Sequence, residues 1–193
     1  NDLQRLIRVI PATAVFRRDS RAGDEEHPVT EEQTAAFAAF PLTRLRPEQM
    51  AGSVLQSANL RTINADSHVL VRLVRFFQQK DFIQRYGDAG EDEFGVVGGT
   101  IPQRLILMNG QLVQERTKED LAMNSATRIA VVSPDDATAI ETAYLAVLTR
   151  RPTPSEKEHF VKRFHDGPAS GRSRKMEDLF WTLINSTEFA WNH

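Results

Sequence analysis

Apolar residues along this chain recur at three-and-four spacing far more often than they alternate, and that is the period of helices that bury one face. From about 134 to 149, Ala137, Ile140, Tyr144, Val147 and Leu148 share a face. From about 154 to 165 the stripe is Phe160, Val161 and Phe164, and from about 175 to 184 it is Met176, Leu179, Phe180, Leu183 and Ile184. These segments predict a C-terminal three-helix unit, joined through Arg150-Arg151-Pro152-Thr153 and through Asp166 to Ser173, where Pro and Gly stop helices. Upstream, Leu3, Leu6, Ile7 and Ile10 mark a first amphipathic helix, and Pro47 opens another that buries Met50, Val54 and Leu55. A longer helix over about 67–86 offers Val69, Leu70, Leu73, Val74, Phe77, Phe82 and Tyr86 to the core. Asn109-Gly110 is a strong break, so about 102–121 reads as two short helices.

Helix-start chemistry agrees with the periodicity. Thr30-Glu31-Glu32-Gln33 has the form of a capping box, with the Thr hydroxyl taking the Gln33 N–H and the Gln side chain reaching back. Ser133-Pro134-Asp135-Asp136 offers an N-cap, a Pro for the first helical position and carboxylates for the positive end of the helix dipole. Thr153-Pro154-Ser155-Glu156 repeats that device, which makes Thr153 and Pro154 structural residues. Strand signals are scarce, because Gly95 to Thr100 is too glycine-rich for an independent sheet. Asp19 to Pro28 and Gly87 to Thr100 read as two long acidic loops. The expected fold class is therefore all-α, one helical domain over residues 1–193.

Composition narrows the chemistry. At 193 residues, 40% hydrophobic and 26% charged, the chain can bury roughly 70% of the surface its unfolded form exposes and needs no staples. It contains no cysteine, which removes thiol nucleophiles, thiolate metal sites, iron–sulfur clusters and cysteine-attached haem. A net charge of −2 argues against general binding to nucleic acid or to an anionic membrane. No apolar run approaches the roughly 20 residues of a membrane span. The dense basic patch Arg172-Ser173-Arg174-Lys175 reads as a solvated helix start.

Several constellations resemble sites and fall short of one. Glu156-Lys157-Glu158-His159 contains half of a carboxylate-bundle metal motif without a second half, so His159 reads as a helix-surface imidazole. His27, His68, His165 and His193 lack compact ligand spacing. The acidic run Asp88 to Glu93 lacks the alternating ligands, sixth-position Gly and distal Glu of a calcium loop. Gly95 to Thr100 lacks the Gly-Lys-Ser/Thr ending of a phosphate cradle. In Asn185-Ser186-Thr187-Glu188, followed by Phe189, Trp191 and His193, no strand–Ser–helix elbow and no fixed base surround the hydroxyls. The stretch reads as a helix stop: Asn185 or Ser186 caps a final turn, Glu188 sits at its positive end, and Phe189 and Trp191 pack home.

Four stretches taken in order resemble a known family. They are Asp2 to Ile10; Leu45-Arg46-Pro47-Glu48-Gln49; Ile101-Pro102-Gln103 through Met108-Asn109-Gly110 to Glu115; and Thr149 to Glu156 followed by Leu183 to Phe189. Together they are similar to the C-terminal domain of unknown function in the planctomycete-expanded surface and cytochrome-c-associated protein family. The resemblance implies an exported parent, in the periplasm or at the cell surface, with further domains upstream as partners. It carries over no catalytic residue and no cofactor. Asn109, Asn185 and Glu188 match its motifs and are the candidate motif residues, and Arg46 departs from its Ser or Thr cap.

The expectation is a non-catalytic helical assembly or recognition module, ligand unknown. The competing expectations are a polysaccharide-active enzyme to which Glu188 or the loop around Asp92 lends a carboxylate, and a docking scaffold for a haem electron-transfer domain.

Overall fold

The computed structural model describes residues 2–18, 29–40, 43–58, 80, 82–86, 101–110, 113–114, 124–166 and 171–192. The fold is all-α, with the described residues in two compact units, Asn1–Arg44 with Trp191–His193, and Leu45–Ala190. Both acidic loops, most of the expected 67–86 helix, and His27, His68 and His193 lie outside the described residues.

The smaller unit holds α1 (Leu3–Ala12), α2 (Glu31–Ala35) and a two-residue antiparallel pairing of β1 (Thr43–Arg44) with β2 (Trp191–Asn192). Asp2 caps α1 by accepting the Arg5 N–H at 3.0 Å. The Thr30 capping box forms in both directions, at 3.2 and 3.0 Å. Helix α2 closes with Ala38 N–H on the Gln33 carbonyl and Phe37 N–H on that of Thr34. This loop-back normally ends on glycine, yet here Phe37 holds the left-handed conformation, at φ 54°.

In the larger unit, Leu45–Ala190, the core is built from α3 (Pro47–Ala58), a short helical run at 82–86, α4 (Ile101–Asn109), α5 (Ser125–Val132), α6 (Asp136–Leu148), α7 (Pro154–Asp166) and α8 (Arg172–Ile184). A 3₁₀ turn at Glu188–Ala190 closes it. Helix α3 starts at Pro47 as expected and buries Met50, Val54 and Leu55. Its N-terminus has half of a capping box: Gln49 Oε1 accepts the Arg46 N–H at 2.9 Å, with no side-chain oxygen at position 46 to reciprocate. Phe82 and Tyr86 are buried and stacked, with centroids 5.2 Å apart.

The three C-terminal helices fall where the periodicity puts them. All five apolar residues expected of α8 are buried, and α6 buries Ile140, Tyr144, Val147 and Leu148. On α6, Ala139 and Ala143 are buried while Ala137 is only half-buried. The start of α6 differs from expectation. Asp135, not Ser133, is the N-cap, taking the Thr138 N–H at 2.8 Å and the Thr138 hydroxyl at 2.9 Å. Ser133 is instead the C-cap of α5, and Pro134 lies in the bend between them.

Helix α5 is the element that spacing of large residues does not announce. Its buried face is Ser125, Ala126, Thr127 and Ala130, while Val131 and Val132 face solvent. Small side chains let two helix backbones approach closely, and α8 packs against this face. The Ser125 hydroxyl donates to the Ser57 carbonyl at 2.6 Å, tying α5 to the end of α3.

Two of the three basic residues at the start of α8, Arg172 and Lys175, are engaged, while Arg174 is exposed. Cations are misplaced at their own helix N-terminus but suit the C-terminal carbonyls of others. Arg172 Nη1 donates to the Ala130 and Ser133 carbonyls at 2.9 and 2.8 Å, and its Nε lies 2.8 Å from Asp136. Lys175 Nζ donates to the Phe164 carbonyl at 2.5 Å, in the last turn of α7.

Candidate functional site

The second and third of the stretches that carry the family resemblance, and the first half of the fourth, converge on the end of α8 and the closing turn. Leu45 N–H donates to the Ala190 carbonyl at 2.9 Å. From α4, Arg104 Nη2 reaches Thr187 Oγ1 at 3.4 Å, and the Met108 carbonyl accepts the Trp181 indole N–H at 3.2 Å. From the α6–α7 connection, Arg150 takes Glu188 in a two-point grip, Nε to Oε1 and Nη2 to Oε2, both at 2.6 Å.

Arg150 is the centre of this junction. It also holds Glu156 through Nη1 and Nη2, each at 2.9 Å, and donates to the Arg151 carbonyl at 3.0 Å. Glu156 completes a capping box at the start of α7, its Oε2 accepting the Thr153 N–H at 2.7 Å while Thr153 Oγ1 takes the Glu156 N–H at 3.3 Å. Thr153 and Pro154 are therefore the N-cap and first residue of α7, as their sequence predicts. A planar guanidinium suits this position because it offers five donors in a fixed fork, enough for two carboxylates at once.

Local backbone places the arginine there. Helix α6 ends on Thr149 in the left-handed conformation, φ 57° and ψ 11°. Gly or Asn normally fills such a cap, since a β-branched residue there is strained. The turn sets the Arg150 guanidinium 5.4 Å from the centroid of the buried Tyr144 ring, close enough for a cation–π attraction. Desolvation, reinforced by the Glu156 charge, pushes the Tyr144 phenol up to about 12. Bonds from Arg150 hold the Glu156 carboxyl down at about 2, against its partial burial. Hydrogen bonds to Glu188 and then Glu156 raise the affinity of Arg150 for its own proton.

The candidate residues take distinct positions around this clamp. Asn185 is the C-cap of α8, its Nδ2 donating to the Trp181 carbonyl at 2.9 Å. Ser186 caps the final turn, accepting the Phe189 N–H at 3.3 Å and donating to the Leu183 carbonyl at 2.7 Å. Glu188 opens that turn with its side chain 19% exposed. Phe189 is buried in the core cluster. Trp191 is half-buried, its backbone paired with Arg44. Asn109 is exposed at the end of α4, some distance along the chain from the clamp and bonded to none of its members in the contacts above.

Sequence reasoning treats Glu188 and Glu156 separately and passes over Arg150. The available signal is the repeated Arg150-Arg151 beside a capping box, but nothing local says that a residue 38 positions away completes it.

The arrangement is poorly suited to acid–base chemistry. A carboxylate that already accepts two short guanidinium bonds is a weak proton acceptor and has little freedom to turn toward a substrate. The open depression between α7 and α8, which includes Phe160, Arg163, Lys175 and Asp178, contains none of the candidate residues. His159 is exposed and sits edge-on to Phe160 at 5.1 Å. Among the described residues, no three His, Asp or Glu side chains are grouped as metal ligands. No helix among them is long and apolar enough to cross a membrane. No family model, curated protein or solved structure matches this chain.

Proposed function

We propose that this chain is a non-catalytic helical module for assembly or recognition, part of an exported protein of the cell surface or periplasm. The observation that carries the recognition role is an exposed apolar face on α4. Ile101, Leu105 and Met108, at spacings of four and three, are 77%, 51% and 41% exposed, and Trp181 of α8, bonded to the Met108 carbonyl, is 36% exposed. Trp, Met and Arg are enriched in interface cores, whereas Lys and Glu are depleted there, and Arg104 borders this face. The Arg150 clamp holds α6, α7 and the closing turn together, and Arg104 of α4 reaches that turn at Thr187. The exported setting and the upstream domains as partners rest on the sequence resemblance.

The test pairs binding with turnover. Purified chain titrated with the upstream part of its parent protein is expected to bind, and Leu105→Glu is expected to abolish binding while leaving the melting temperature unchanged. Incubation with soluble polysaccharides is expected to release no reducing ends above those of the Glu188→Gln variant. Hydrolysis that disappears in Glu188→Gln would establish the enzyme reading instead.

A further inference from the structure

Asn109 takes no part in the Arg150 clamp, and its surroundings point to a different chemistry. Its side chain is exposed at the end of α4 and hydrogen-bonded to no described residue. Other described asparagines are placed differently. Asn124 is buried, and the Asn185 amide is committed to the Trp181 carbonyl at 2.9 Å. Asn109 is also the one asparagine in the chain that a glycine follows. Gly110 has no Cβ to shield its own backbone nitrogen, and its backbone reaches conformations closed to other residues. A free amide side chain thus stands next to an unshielded main-chain nitrogen, so the reacting groups are already held together.

We propose that Asn109-Gly110 is a site of spontaneous backbone modification, deamidation through a succinimide, gated by the C-terminal end of α4. The Gly110 nitrogen loses its proton and attacks Asn109 Cγ. An N–Cγ bond forms and the Cγ–Nδ2 bond breaks, with Nδ2 taking up a proton and leaving as ammonia. Water then opens the ring without any change of oxidation state. Cleavage of the N–Cγ bond leaves an aspartate, and cleavage at the Asn109 carbonyl carbon leaves the main chain running through Cγ as an isoaspartyl link.

The folded helix holds this reaction back. Gly110 N–H donates to the Ile106 carbonyl at 2.7 Å, and the Gly110 carbonyl accepts the Gln114 N–H at 3.1 Å. The nitrogen is therefore neither free to deprotonate nor free to swing toward Cγ. One residue earlier, the Met108 carbonyl is tied to the Trp181 indole at 3.2 Å. Reaction draws on local opening of this end, of the kind that frays helix termini. Its product weakens what gated it. Either form puts a carboxylate where the last carbonyls of α4 already concentrate negative charge, and the isoaspartyl link lengthens the main chain and breaks the bond from Gly110 to Ile106. The modification is one-way and loosens the end of α4 once it has occurred. It goes beyond the recognition role proposed above and does not depend on it.

The full chain, aged in warm, mildly alkaline buffer, tests this by isoaspartate-specific carboxyl methylation and peptide mass mapping. Modification is expected at Asn109 ahead of Asn124 and Asn185, and is expected to vanish from that position in Asn109→Gln, which melts as the wild type does. Unfolding in guanidinium chloride is expected to speed the reaction at Asn109 by about tenfold, the population factor for one or two backbone bonds. Trp181→Phe keeps a ring and removes the indole N–H, and is expected to raise the folded-state rate at Asn109 by about threefold. An Asn109 still unmodified in the folded chain when the unfolded chain has fully reacted would overturn the proposal. So would modification of Asn185 or Asn124 before Asn109, or a rate at Asn109 indifferent to unfolding or to Trp181→Phe.

Discussion

Replacing Arg150 by alanine removes one side chain and leaves two carboxylates without their cation. Arg150, Glu188 and Glu156 are 21%, 19% and 32% exposed at the side chain, which is between a surface pair and a buried one. Exposed pairs contribute about 0–1 kcal/mol, and breaking a buried pair costs about 3–5 kcal/mol. Screening by the remaining solvent places this site at about 2–3 kcal/mol, which for a chain of this size lowers the melting temperature by about 4–12 °C. Arg150→Lys is expected to recover less than half of that, because a lysine lacks the fork that grips two carboxylates. The loss carries a pH signature. The folded Glu156 carboxyl titrates near 2, below its ordinary 4.5. Its contribution is therefore complete above about pH 4.5 and is lost as pH falls from there toward 2. Urea unfolding at pH 7, 4 and 2.5 should show the gap between wild type and Arg150→Ala narrow as the carboxylates protonate. A variant that melts within about 1 °C of wild type at pH 7, or a gap that ignores pH, would refute the clamp.

Three further substitutions probe the closing motif and the α4 break. Phe189→Ala, at a ring 5% exposed, should cost about 3–5 kcal/mol in urea unfolding, whereas Asn185→Ala, which loses one helix-capping bond, should cost about 0.5–1.5 kcal/mol. Gly110→Ala should destabilise by about 1–3 kcal/mol, since a Cβ there would stand 2.2 Å from the Ile106 carbonyl oxygen and force the end of α4 to shift. A melting curve unchanged from wild type would mean that α4 ends differently.

Elements whose information is local were legible in the sequence. The Thr30 and Thr153 boxes and the α8 stripe require only side chains and backbone within a few residues of one another, so residue type and spacing suffice. Ser133 misled because two acceptors, Ser133 and Asp135, compete within three positions. Asp135 prevails by also receiving the Thr138 hydroxyl. Helix α5 was not visible because its buried face is Ala, Ser and Thr, whose burial depends on which helix comes close and not on their own hydrophobicity. The apolar period of α1 was visible, but periodicity says only that a face is available for burial. Among the described residues that face is exposed, which periodicity does not foretell.

The sequence by itself determined that this protein is helical, where most of its described helices begin, and that Asn185 to Phe189 is a stop. Only the tertiary structure decided what Glu188 does. Its carboxylate is committed to an arginine 38 residues earlier, a pairing that forms because the left-handed turn at Thr149 brings Arg150 back over Tyr144. Charge partnership across that separation is set by how helices pack, which no local pattern encodes. For the same reason Arg172 and Lys175, which read as part of a solvated patch, donate to the last carbonyls of α5 and α7.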